Sequence, residues 1–114
     1  MEPLEARVRR LEYYIELALD ANGVHKKPFF EMVIQHELEK EEVATIYKLC
    51  EEVYERYVQQ KKEGLVNYMP LLTHFVGMLN IKLPPHQTIQ ALWEQGIYTD
   101  LMKELFMLSS QVKG

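Results

Sequence analysis

A chain of 114 residues, 47% hydrophobic and 26% charged, has the length of one domain and the balance of a folded globular protein, which excludes a disordered tether. Thirteen Lys and Arg against seventeen Asp and Glu give a formal charge of -4, a field that repels polyanions and removes nucleic acid from the expected partners. The single cysteine, Cys50, excludes an intramolecular disulfide and a multi-cysteine metal site and points to a cytoplasmic setting.

At the N-terminus, Arg7, Arg9 and Arg10 interrupt the apolar positions after Met1-Glu2-Pro3-Leu4-Glu5, so no signal peptide is expected. Nor does any stretch approach the roughly 18 consecutive apolar residues of a membrane span. Pro3 suits the first turn of a helix, and Leu4, Val8, Leu11, Ile15 and Ala18 follow at alternating spacings of four and three, which is a heptad seam. With Val8 and Ile15 at a positions, Arg7 falls at g and Glu12 at e, the pair that meets across a parallel coil. This spacing predicts a homo-oligomer, a dimer or a trimer. The seam is shorter than the roughly three heptads of a secure coiled coil, and the same stripe also suits packing on the domain's own core. The small basic groups, Arg7 with Arg9 and Arg10, Lys26 with Lys27, and Lys61 with Lys62, read as solvated helix ends and faces.

Asn22-Gly23 predicts the end of the first helix, and Val24 to Lys27 form a connector. Pro28 opens a second helix with Phe29, Phe30, Met32, Val33 and Ile34 on its apolar face. Glu39 to Glu42 holds no Ser, Thr, Asp or Asn, so two continuations stay open: a third helix begins there, or the second runs on. Val43, Ile46, Tyr47, Cys50, Val53, Tyr54, Tyr57 and Val58 then recur at helical spacing, with Gly64 as the cap that closes this long helix. Cys50 sits on the buried stripe, where a thiol acts as a small hydrophobe. The tyrosines follow the apolar period and read as core-edge residues.

Asn67 is a good N-cap for a fourth helix, with Pro70 in its first turn and Leu71, Leu72, Phe75, Val76, Met78 and Leu79 spread nearly all round it. That distribution predicts a buried central helix, and Gly77 within it predicts the close approach of a neighbour. Pro84-Pro85 starts a fifth helix carrying Ile89, Leu92 and Trp93. Gly96 ends it with Ile97 folding back, and Thr99 caps a sixth helix with Leu101, Met102, Leu105, Phe106 and Leu108 as its stripe. The expected fold is all-α, a compact multihelical domain of five to six helices over residues 1–114.

Chemistry-bearing patterns are sparse. His36-Glu37 is followed by Lys40 where a zinc-protease helix carries its second His, and no His has a Glu three residues before it. Phosphate-binding, dinucleotide and nucleophile-elbow glycine patterns are missing too. No cofactor or metal is therefore predicted. His74 stands on the most apolar helix, where a histidine satisfied by a backbone carbonyl or a neighbouring side chain is the expected reading. A pocket residue tuned by burial and a carboxylate is the alternative. His25 and His86, in a connector and at a helix start, are expected to be exposed.

The segment Pro70-Leu71-Leu72-Thr73-His74-Phe75-Val76-Gly77-Met78-Leu79-Asn80 resembles a family of short proteins of Bacillus-type spore-forming bacteria, often called YhaI-like. The similarity extends to Gln95-Gly96-Ile97-Tyr98, Leu11-Glu12-Tyr13-Tyr14-Ile15 and Leu49-Cys50-Glu51-Glu52. It departs at Glu39-Lys40, where a Ser, Thr or Asp cap is expected before the acidic pair. The resemblance implies a cytoplasmic, multihelical fold with central buried helices; it carries over no activity, cofactor, partner or functional residue. Taken with the seam, these readings predict a small oligomeric interaction or regulatory protein with an unidentified protein partner and no catalysis. The alternative is a small-molecule binder or enzyme with an inter-helical pocket near His74.

Overall fold

The computed structural model describes residues 2–20 and 27–113, with the side chains at 16–20 and 112–113 outside that set. Six helices follow one another among the described residues: α1 Leu4–Asp20, α2 Pro28–Gln35, α3 Lys40–Lys62, α4 Met69–Met78, α5 Pro85–Glu94 and α6 Thr99–Lys113. No strand occurs among these residues, and the fold is all-α. The Asn22-Gly23 helix end, the connector residues His25 and Lys26, and the Ala18 side chain of the seam lie outside the described residues.

Pro28 sits in the first turn of α2, where its missing N–H costs nothing. The helix stops at a left-handed residue, Glu37 (φ 55°), with the Leu38 N–H donating to Val33 O at 2.9 Å and the Glu37 N–H to Ile34 O at 3.2 Å. Leu38 drops into the core. The open choice about Glu39 to Glu42 thus resolves into two separate helices. Glu39 is the N-cap of α3, and its N–H donates to Glu42 Oε1 at 3.0 Å, so a glutamate does the work expected of a shorter polar residue. Twenty-three residues make α3 about 35 Å long. Its Val43, Ile46, Leu49, Cys50, Val53 and Tyr57 are buried. At its end Gly64 adopts φ 76°, a conformation open to glycine at no steric cost. The Leu65 N–H closes the motif on Gln60 O at 2.9 Å.

Two expectations about α4 are corrected. Leu71, Leu72 and Phe75 are buried, but Thr73, Val76, Gly77 and Met78 are exposed, so α4 is a surface helix covered on one side by α3 and α6. A Cβ placed on Gly77 would meet no heavy atom within 4 Å, so no neighbour approaches closely there. Overall apolarity does not say how many faces of a ten-residue helix find a neighbour, and here two neighbours supply only one covered side. The helix begins at Tyr68 as N-cap, one residue later than Asn67, yet Asn67 Oδ1 still accepts the Met69 N–H at 3.2 Å.

The packed centre draws its buried side chains from α2 to α6 and the turns between them, including Phe29, Leu38, Ile46, Phe75, Leu92 and Met102. Helix α5 lies against α6 and α2. Between α4 and α5, Asn80 Nδ2 donates to Glu42 Oε2 at 2.8 Å and Lys82 Nζ to Glu42 Oε1 at 3.0 Å, which ties that loop to the start of α3. The α5–α6 corner turns at Gly96 (φ 85°) and Tyr98 (φ 47°), with the Ile97 N–H folding back onto Leu92 O at 3.0 Å. Of the described α1 side chains, only Tyr13 and Tyr14 pack against the core.

Candidate interaction surface

Helix α1 carries two distinct faces. Ala6, Arg10, Tyr13 and Tyr14 share one of them at spacings of four, three and one, and all four are half-buried. The Tyr14 hydroxyl donates to Leu38 O at 3.3 Å, and Arg10 pairs with Glu2. The other face holds Leu4, Val8, Leu11 and Ile15, which are 73%, 43%, 54% and 60% exposed. The body of the molecule therefore uses the tyrosine face of α1 and leaves the heptad stripe to solvent. Arg7 and Glu12 flank the stripe and are exposed. Four aliphatic side chains in line along an outer face form a contiguous apolar patch, unlike the scattered apolar residues common on protein surfaces.

Beside α1, a cleft of about 460 Å³ opens between it and the start of α3, lined by Arg9, Arg10, Glu12, Tyr13, Glu39 and Glu41 among others. A second, apolar cleft of about 340 Å³ lies between Leu72 and Val76 of α4, Pro84, Pro85 and His86 at the start of α5, and Ser109 of α6. His86 is half-buried there, which corrects the expectation that it is exposed. Its ring stacks on Phe106 with centroids 4.8 Å apart, and its Nδ1 lies 2.5 Å from Ser109 Oγ. The Ser109 hydroxyl donates to Phe106 O at 3.1 Å. Ser109 Oγ thus bridges the His86 ring and the Phe106 carbonyl.

His74 is half-buried on α4 and faces α3, its Nε2 lying 3.1 Å from Glu52 Oε1. The same oxygen accepts from Arg56 Nη2 at 3.1 Å, the i,i+4 pair expected from the spacing. A third cleft of about 550 Å³ is lined by Glu52, Glu55, Arg56, Gln59, Leu65 and Leu71, among others, but not by His74. Cys50 is fully buried, and burial pushes its thiol up to about 12, so at neutral pH it is protonated and unreactive. Tyr54 and Tyr57 join Tyr98 and Tyr68, with ring centroids 4.8 Å apart for Tyr54–Tyr98 and 5.1 Å for Tyr57–Tyr68. The Tyr54 hydroxyl donates to Asp100 Oδ2 at 3.2 Å. These rings pack on one another. Among the described residues, no three His, Cys, Asp or Glu side chains gather to hold a metal ion, and no helix is long and apolar enough to cross a membrane.

A family model described as a protein of unknown function, DUF1878, matches residues 1–109. The chain belongs to the DUF1878 family. Its match takes in the exposed stripe of α1 together with the helices behind it, and the family description attaches no activity to either.

Several residues that organise this DUF1878 chain were hidden from sequence reasoning. Gln95 Oε1 accepts the Phe29 and Phe30 N–H groups at 2.9 and 3.2 Å and so caps α2 from the end of α5. Glu42, one of a run without the usual capping residues, anchors the α4–α5 loop. Tyr98 completes the aromatic cluster from a left-handed corner. Only Gln95 and Tyr98 left any trace, at the two ends of the Gln95-Gly96-Ile97-Tyr98 helix end.

Proposed function

We propose that this DUF1878 protein is a homo-oligomeric interaction protein that self-associates through the outer stripe of α1 and presents its helical body to a protein partner, with no catalysis of its own. The observation that carries the reading is the exposure of Leu4, Val8, Leu11 and Ile15 on the face of α1 that its own core does not use. Covering the exposed part of each side chain contributes about 1–2 kcal/mol, or about 8–16 kcal/mol over two copies. That is comparable to the roughly 4–15 kcal/mol cost of association, so the assembly is weak and depends on chain concentration. A cytoplasmic setting and membership of the YhaI-like group belong to the same proposal, supported by the lone thiol and by the similar segments. The alternative, a small molecule held at His74, has less behind it, because that ring is already engaged by Glu52 and lines none of the three clefts.

Sedimentation velocity with chain concentrations up to about 0.5 mM tests the reading, a range set by the weak affinity expected. The native chain should show a mass above 13.5 kDa that rises with concentration. Leu11→Glu should return it to the monomer with an unchanged circular dichroism spectrum. A native chain that stays monomeric throughout the range refutes self-association.

A further inference from the structure

We infer that the second copy lies parallel and in register along α1, in a two-stranded pair where Arg7 of each chain meets Glu12 of the other. This rests on the self-association reading and adds its direction, its strand number and the charges that select it. The apolar positions set the number: Val8 and Ile15 at a are β-branched, while Leu4 and Leu11 at d are not, a combination that favours two parallel strands.

Charge sets the direction. Glu5 and Glu12 occupy e positions and Arg7 a g position, and all three are exposed. In a parallel pair each g residue faces the e residue five further along the other chain, so Arg7 meets Glu12 twice. An antiparallel pair sets e against e, which places Glu5 opposite Glu12 twice and leaves Arg7 near Tyr14, whose hydroxyl is engaged by Leu38 O. Like charges face each other in that arrangement. Within the described residues no ion pair or hydrogen bond engages the side chains of Arg7 or Glu12, whereas Arg10 is held by Glu2 and Arg56 by Glu52. Both flanking charges are therefore free to be read by another copy. Of the two α1 side chains that pack on the core, Tyr13 falls at f, opposite the seam, and Tyr14 at g, beside it, so each body lies on the outer f–g side of its own helix. Glu12 also lines the cleft between α1 and α3, so Arg7 of the second copy arrives at the edge of that cleft.

Sedimentation of charge-swapped full-length chains tests this pairing. Arg7→Glu and Glu12→Arg, each alone, should weaken the dimer about tenfold at low salt by setting like charges together, and the effect should shrink at high salt. The double variant should return to within about threefold of the native chain, and an equimolar mixture of the two single variants should form heterodimers. Because both side chains are exposed, circular dichroism of every variant should match the native chain. In an antiparallel pair Glu12→Arg would instead tighten the dimer by facing Glu5, and that sign overturns the parallel arrangement while leaving self-association intact. So does a dimer indifferent to all three variants. A limiting mass of three chains instead of twice 13.5 kDa overturns the two-stranded claim alone. A native chain that never dimerises removes both readings.

Discussion

Gln95→Ala is predicted to unfasten the start of α2. Pro28 brings no N–H to that helix end, and the Glu31 N–H already donates to Lys27 O at 3.0 Å, which leaves the Phe29 and Phe30 donors without helical partners. Gln95 Oε1 accepts both. Phe29 is fully buried and Gln95 half-buried, so water can replace the amide only in part. Leaving a buried donor unpaired costs about 1–3 kcal/mol, and losing a helix cap about 0.5–2 kcal/mol. A loss of about 2 kcal/mol is expected, which for a chain of this size lowers Tm by about 8–12 °C. Gln95→Glu keeps the acceptor, and its negative charge gains about 0.3–1 kcal/mol at the N-terminus of α2 but loses a similar amount at the C-terminus of α5, which Gln95 caps. With the two helix ends offsetting, it should stay close to the native chain at neutral pH and clearly above Gln95→Ala. Thermal melts followed by circular dichroism, at one fixed chain concentration, measure both variants. An alanine variant within about 0.3 kcal/mol of the native chain refutes the capping role. So does a glutamate variant as unstable as the alanine one, since the loss would then come from packing and not from the acceptor.

Three further outcomes are expected. Gly77→Ala should stabilise the chain by about 0.5–1 kcal/mol, because the position is helical with open space around it, whereas Gly96→Ala should destabilise it through its φ of 85°; chemical denaturation gives both signs, and a destabilising Gly77→Ala contradicts the open face of α4. Burial raises the Glu42 carboxyl, but hydrogen bonds from the Glu39 N–H, Asn80 and Lys82 outweigh it and hold the group below the usual carboxylate range. Its folded value is lower than its unfolded one, so its stabilising contribution is complete above the unfolded value and fades as pH falls toward the folded one. Glu42→Gln should flatten the acid limb of stability against pH, and an unchanged limb contradicts the tie. Cys50 should resist alkylation at neutral pH in the folded chain and react only along the unfolding curve; rapid labelling without denaturant would contradict its burial.

What could be read in the sequence was local. Pro28, Gly64 and Gly96 mark helix ends because each restricts or frees one backbone angle, whatever surrounds it. The heptad spacing of Leu4, Val8, Leu11 and Ile15 was equally visible, since a period needs no tertiary knowledge. Which side of α1 its own body would take was not visible, because Tyr13 and Tyr14 make a competing stripe of similar apolarity. The exposed side of α4 escaped for a related reason: Val76 and Met78 are as apolar as Leu72 and Phe75, and only the placement of α3 and α6 separates them. The cap from Gln95 and the stacking of His86 on Phe106 join residues 65 or more and 20 apart, and no period or turn rule connects such positions. Glu39 was passed over as a cap because its longer side chain is uncommon there; Leu38, buried immediately before it, breaks the run and lets a new helix begin.

The amide that fastens α2 also imposes an order on synthesis. Phe29 and Phe30 leave the ribosome well before Gln95, and at about 5–20 residues per second the delay is roughly 3–13 s. During that interval eight residues of helix have an open first turn and no α5 to lie on, and so short a segment is marginal in water by itself. The emerging chain therefore has Tyr47 of α3 to set against Phe29 before it has the α5 surface on which α2 comes to lie. Truncation before Pro85 removes α5 altogether, and α2 then loses both the helix it lies on and the amide that caps its first turn.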